Sequence, residues 1–335
     1  MRRFLMLAGL CVFTLVAAGP AAHSATAEAT LTAPPLQFVT PVERKLANGL
    51  TVVVFPQSRL PLVQIQLMVP AGSAVEGSAP LGVASLTAQM LRQGTASRSA
   101  QQFATDLERI GGSFSVSVTR DAAMVAGGFR SSDLSAGLEL ISDAVLNPLF
   151  EPEAVEAVRR QSAQQLGNLR RNGSGIADER AWAALFGTHP YARSTAGAID
   201  ALFGTKPEHL RSFHRDRWRP DRAVLAVAGD VAPDQVFAAV EERFGAWAGR
   251  TAQEPLRPAP QSIAGVRVID APEAPTAELR WGAIAPGRSE ASLAGWQLLV
   301  AALNQSETLP RGARAQLLTL RDASLFLLSA PSSLD

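Results

Sequence analysis

Cysteine is almost absent: one residue, Cys11, occurs in 335. It lies in an apolar leader with Leu10 before it, where a lipoprotein signal needs a small residue, so lipidation is not expected. With the leader removed no disulfide can form, and stability in an oxidising compartment has to come from a core. Histidine is scarce as well, with four residues, His23, His189, His209 and His214. The last three contain no pair at i,i+4 spacing and read as surface or locally bonded residues. Charge is sparse: Asp, Glu, Lys and Arg make up 18% and the formal net charge is +1, or −1 once Arg2 and Arg3 are removed. That balance gives no electrostatic case for nucleic acid or anionic lipid. No Gly-x-Ser-x-Gly elbow surrounds any candidate serine nucleophile, Ser85 included. Aromatics are 6% of the chain, and Trp182, Trp218, Trp247, Trp281 and Trp296 read as core or interface anchors.

Apolar residues are plentiful, at 47%, and the length suits about two globular domains. Met1-Arg2-Arg3, the apolar run Phe4 to Val16 and small residues near Ala25 form a signal peptide, 1–25, too short in its apolar part to span a bilayer comfortably. Export to the periplasm or outside the cell is expected, with no membrane span after cleavage, a retained membrane anchor being the lesser reading. Residues 26–40 read as a linker rich in Ala, Thr and Pro.

Two strands, Val42 to Lys45 and Leu50 to Phe55, flank the hairpin signal Asn48-Gly49. Leu62 to Val69 alternates apolar and polar residues as a strand with one buried face does. A helix follows, with Val83, Leu86, Met90 and Leu91 in register and Gly94 at the expected left-handed C-cap. Ser99 opens a second helix, Ser113 to Arg120 and Ala122 to Phe129 form an antiparallel pair, and Asp133 caps a helix over Leu134 to Leu146. A long helix runs from Glu153 to Arg171, short helices lie between Gly173 and Asp216, and a strand (Arg222 to Ala228) and helix (Pro233 to Phe244) close the unit. Residues 251–262, rich in proline, read as a second linker. Beyond it, Val266 to Ile269 and Ala277 to Trp281 read as strands, and Ala291 to Leu303 and Ala313 to Leu320 as helices. The last thirty or so residues, with their sheet incomplete, are expected to be the least ordered.

The chemistry-bearing stretch is the helix from Gly82. Ser85, Ala88 and Gln89 stand at i, i+3 and i+4, positions that one side of a helix presents together and that can hold a zinc ion and a general base. Glu76, just upstream, reads as turn or helix N-terminal electrostatics.

This frame resembles the insulinase/pitrilysin family of zinc peptidases, which includes the mitochondrial processing peptidase. The resemblance is carried by Leu46-Ala47-Asn48-Gly49-Leu50, by Ala71-Gly72-Ser73 with Glu76, by Gly82 to Gln89 with Gly94-Thr95, by His189-Pro190-Tyr191 and by Phe213 to Pro220. It implies an α+β, insulinase-like (metallohydrolase-like) domain over 41–250, a mostly antiparallel sheet with helices on one face, and an incomplete second copy over 263–335 with the C-terminal half truncated. It also implies where a metal would sit. Ser85 and Gln89 replace the two histidines, Ala88 replaces the catalytic glutamate, and Gln165 falls at the third ligand. Zinc needs imidazole, thiolate or carboxylate donors, and its water needs a base. The expectation is therefore a non-catalytic homologue with no cofactor, zinc being the cofactor of active members. By the resemblance it would be a subunit for an active insulinase-family partner, for an extended peptide, or for both. A zinc-independent hydrolase and a non-functional remnant are the alternatives.

Overall fold

The computed structural model describes residues 39–170, 173–249, 265–270, 277–307 and 309–332. The signal peptide, all of the first linker before residue 39 and the linker 251–262 lie outside the described residues.

In chain order the first part comprises β1 (Val42–Lys45), β2 (Thr51–Pro56), β3 (Leu62–Val69), α1 (Val83–Met90), α2 (Ala100–Arg109), β4 (Ser113–Val118), β5 (Ala123–Arg130), α3 (Leu134–Leu146) and α4 (Pro152–Arg170). It continues with α5 (Gly173–Phe186), α6 (Ile199–Gly204), α7 (Pro207–Arg217), β6 (Val224–Gly229) and α8 (Pro233–Phe244). The second part comprises β7 (Ala277–Ala285), α9 (Leu293–Gln305), β8 (Arg314–Leu318) and β9 (Ser324–Ser332).

Six strands form one sheet in the order β1-β2-β6-β3-β5-β4. All neighbours are antiparallel except β2 and β6. Period-two alternation explains the layering. Val63, Ile65, Leu67 and Val69 of β3 are buried under the helices, while Gln64 and Gln66 are exposed on the other face. One large side chain fixes part of that core. A Cβ on Gly112, Gly127 or Gly137 would come within 2.6–2.7 Å of the Phe129 ring, so three glycines from three elements make its cradle.

Five sequence expectations are corrected. The α1 helix ends at Leu91, and Gly94, at φ +127°, is not its cap. Its carbonyl accepts from the Leu149 N–H at 2.9 Å, which ties the segment to the end of α3. Asp133 makes no side-chain capping bond to α3, because a 3-10 turn, Ser131–Asp133, leads into that helix and satisfies the first amides differently. Val266 to Ile269 is no strand: Val266 and Val268 are more than 90% exposed, and without a neighbour among the described residues the segment gains no ladder hydrogen bonds. Ala313 to Leu320 is not a helix either. Arg314–Leu318 pairs antiparallel with β9, which turns Ala315 and Leu317 to one face at period two. Residues 314–332, within the stretch expected to be the least ordered, thus form a hairpin with Leu325, Phe326 and Leu327 buried.

The second sheet, β7-β9-β8, repeats the connection of part of the first. β3, α1, β4 and β5 give the order β3-β5-β4; β7, α9, β8 and β9 give β7-β9-β8. One face packs on α9 through Phe326, Ala285 and Ala315. The other packs on α5, where Leu325 and Leu327 join Trp182, Phe186 and Tyr191 in a core shared by both parts.

Candidate functional site

The α1 helix is held at its N-terminus by local chemistry. Its N-cap, Gly82, sits at φ +94°, and a Cβ there would come 3.0 Å from the Gly197 Cα and 2.9 Å from Leu202. Glu76 supplies the capping that Gly82 lacks: one carboxylate oxygen accepts from the Gly82 and Ala84 N–H groups at 3.0 and 3.1 Å. The other oxygen has no hydrogen-bond partner among the described residues. Glu76 therefore does what its position suggested, satisfying amides at the positive end of a helix dipole.

Burial pushes the Glu76 carboxyl up from 4.5 to about 7, against the lowering by the Ala84 and Gly82 amides and by Arg193. The native state then holds a proton that the unfolded state has lost between pH 4.5 and about 7. Stability is expected to be full below that window and to fall as pH rises through it, by on the order of 3 kcal/mol. Denaturant melts across the window will measure this, and Glu76→Gln, which keeps an acceptor oxygen but cannot ionise, is expected to flatten the curve.

Against α1 lie α4, α7 and β4. Ser85 and Gln89 are half-buried, and the Gln89 amide donates to the Ser85 hydroxyl at 3.4 Å. From α4 the polar contact comes from Ser162, whose hydroxyl donates to the Gln89 carbonyl oxygen at 3.4 Å. Gln165, one turn further along α4, is exposed. Ala88 is 2% exposed and belongs to the main apolar core, so its methyl packs inward. The structure thus brings Ser85 and Gln89 together with Ser162, a residue not singled out in the sequence, and joins neither Ala88 nor Gln165 to that chain of hydrogen bonds.

These donors do not fit zinc. Hydroxyl and carboxamide oxygens are neutral and weak ligands for it, and among the described residues no group of three or more His, Cys, Asp or Glu could hold a metal ion.

The Gly94-Thr95 segment carries a network the sequence did not reveal. Thr95, Ser97 and Arg98 converge on the Asp143 carboxylate at 2.6, 2.6 and 2.9 Å. Burial alone would raise the Asp143 pKa; hydrogen bonds from Ser97, Thr95, Arg98 and Asn147 outweigh it and hold the carboxyl below its usual value. The three described histidines are each bonded within the chain. His189 accepts from the Tyr191 N–H at 3.2 Å, His209 accepts from the Lys206 N–H at 3.1 Å, and His214 lies between Phe150 and Trp218 with Nε2 2.8 Å from the Val145 carbonyl. Burial pushes the His214 pKa down to about 4.

His189-Pro190-Tyr191 turns out to be a docking element. The Tyr191 hydroxyl donates to Asp121 and accepts from the Asp322 N–H at 3.2 Å. Asp121 also accepts from the Arg321 N–H at 2.7 Å. A second polar link is Arg280 of β7, whose side chain is 7% exposed and pairs with Asp178 of α5 and with Glu278.

Residues 52–199 match the family described as Insulinase (Peptidase family M16), and residues 205–319 match the Peptidase M16 inactive domain. The chain belongs to peptidase family M16. An uncharacterized zinc protease of Mycobacterium leprae is 29% identical over 200 residues, 60% of this chain and 45% of the relative. The mitochondrial-processing peptidase subunit beta of Dictyostelium discoideum is 24% identical over 200 residues, 59% of this chain and 42% of the relative. The M16 chain thus spans under half the length of these two curated relatives. Among solved structures, a peptidase M16 inactive domain from Pseudomonas fluorescens superposes with a TM-score of 0.81 at 21% identity, over 88% of this chain and 74% of that one. The periplasmic protease PqqL from Escherichia coli superposes at 0.71 with 16% identity, over 87% of this chain and 35% of that one. These likenesses establish the mixed fold with its mostly antiparallel sheet. Among the described residues no helix is long and apolar enough to cross a membrane.

Proposed function

We propose that this M16 chain is a non-catalytic, exported peptide-binding subunit that works beside an active zinc peptidase of the same family. One observation supports the reading: α1 keeps its N-terminal capping by Glu76, its core face and its packing on α4, while Ser85, Ala88, Gln89 and Gln165 are the residues that the resemblance sets at the family's metal and base positions. With no such ligand or base at these positions, a water there would keep its ordinary pKa and lack a proton acceptor. What remains suits holding a chain. β4 is an outer strand of the first sheet and lies against α1, so an extended peptide can add to its free edge by main-chain hydrogen bonds.

Purified chain is expected to carry no stoichiometric zinc, to keep its unfolding midpoint in chelator and to bind an extended unlabelled peptide without cutting it. Stoichiometric zinc together with chelator-sensitive cleavage would overturn the reading. Cleavage that survives chelation would support a zinc-independent hydrolase instead.

A further inference from the structure

One carboxamide latches the opening hairpin of the first part to the helix that closes it. Asn48, in the turn between β1 and β2, donates through Nδ2 to the Phe244 and Trp247 carbonyls at 2.7 and 3.1 Å. Its Oδ1 accepts from the Leu50 N–H at 3.1 Å. Phe244 is the last residue of α8, where backbone carbonyls have no partner within the helix. Asn48 therefore satisfies the end of a helix that lies 196 residues further along the chain.

The residue after Asn48 makes this latch chemically vulnerable. An asparagine followed by glycine loses ammonia readily, because no side chain screens the next backbone nitrogen from the carboxamide carbon. Once deprotonated, the Gly49 nitrogen attacks Asn48 Cγ: the N–Cγ bond forms, the Cγ–Nδ2 bond breaks, and Nδ2 leaves as ammonia with the backbone proton. Water then opens the succinimide ring at either carbonyl, leaving aspartate or isoaspartate. In the closed fold every reacting group is engaged elsewhere. The Gly49 N–H donates to the Leu46 carbonyl at 2.9 Å, and both ends of the Asn48 carboxamide are bonded. Gly49 is also wedged in place, at φ +95° with the Asp221 Cα 2.9 Å from where a Cβ would stand. We infer that Asn48 is a deamidation site that the closed fold protects, converted only when the β1–β2 hairpin parts from the end of α8.

Conversion runs one way. Aspartate keeps the shape of asparagine but brings no N–H, so the Phe244 and Trp247 carbonyls lose a donor and meet a negative oxygen instead. The place is wrong for that charge as well, at the C-terminal, negative end of a helix dipole. Isoaspartate disturbs the turn itself, since it adds a methylene to the main chain between β1 and β2, whose pairing starts with Lys45 opposite Thr51. A chain modified while open is therefore barred from closing as before. The lesion records how often this latch has opened, and it stands whatever occupies α1.

The test incubates the full chain at mildly alkaline pH, native and in denaturant, and follows conversion by mass in the tryptic peptide 46–59, which separates Asn48 from the other Asn-Gly pair, Asn172-Gly173. Asn48 is expected to convert at least about tenfold more slowly in the native chain, a factor set by how rarely the latch opens. Asn48→Asp, which copies one product, is expected to unfold at a lower denaturant concentration than the parent. Equal rates in native and denatured chain would overturn the inference, and so would an Asn48→Asp variant with the parent's midpoint. The rate comparison uses parent chain alone, so it decides even where the variant does not fold.

Discussion

A chain carrying Ser85→His, Gln89→His and Gln165→Glu is expected to bind zinc at least about a hundredfold more tightly than the parent. The two α1 side chains already touch, at 3.4 Å, and α4 already reaches them through Ser162. Histidines at i and i+4 on this face would present two imidazoles to one point, and a carboxylate on α4 would close the set. Isothermal titration or metal analysis after dialysis reads the outcome. Unchanged affinity in a folded triple variant would mean that α1 and α4 no longer hold the separation a metal needs. Adding Ala88→Glu asks more, because Ala88 is inside the core. That fourth change is expected to lower stability, and it will help catalysis only if the carboxylate can turn out of the core.

Phe186→Ala is expected to cost about 3–5 kcal/mol and to loosen the second sheet from the first part of the chain. Phe186 is 2% exposed, stacks on Trp182 at 5.1 Å and meets Tyr191 edge-on at 5.7 Å. Those rings form the surface on which Leu325 and Leu327 rest. Truncation empties a site bordered by rigid rings, which collapse poorly, so the cavity term should be large. Chemical denaturation gives the magnitude, and limited proteolysis between residues 249 and 277 gives the loosening. A loss below about 1 kcal/mol would mean that the Arg280 and Tyr191 links dominate the docking instead.

The first sheet was legible because its signals are local and redundant. Alternation over Leu62 to Val69, Asn48-Gly49 between two strands and the capping box of Ser99 with Gln102 each carry their own physics. The second part was harder to read for a physical reason. Ala315, Leu317 and Leu318 form too short an apolar run to separate period two from period 3.6, and pairing with β9, a long-range event, decided it. The candidate site was half legible. Ser85 and Gln89 share a helix face, as spacing alone requires, but the choice of Ser162 over Gln165 depends on how α4 is rotated against α1, which no local pattern encodes. Tyr191 lay in a noted motif, yet its role appears only once Asp121 and Asp322, distant in sequence, stand beside it.

The face of the first sheet turned away from its helices presents Gln64, Gln66 and Met68 of β3, Ser113, Ser115 and Ser117 of β4, Met124, Ala126 and Gly128 of β5, and Val224, Ala226 and Ala228 of β6, all exposed or half-buried. Within these rows no ionic group stands, and those that share the face, Arg130 of β5 and Glu43 and Lys45 of β1, lie at its margins. A peptide paired to the β4 edge would lie beside this uncharged stretch and be held mainly by main-chain pairing, so occupancy should tolerate many sequences and change little between dilute buffer and strong salt.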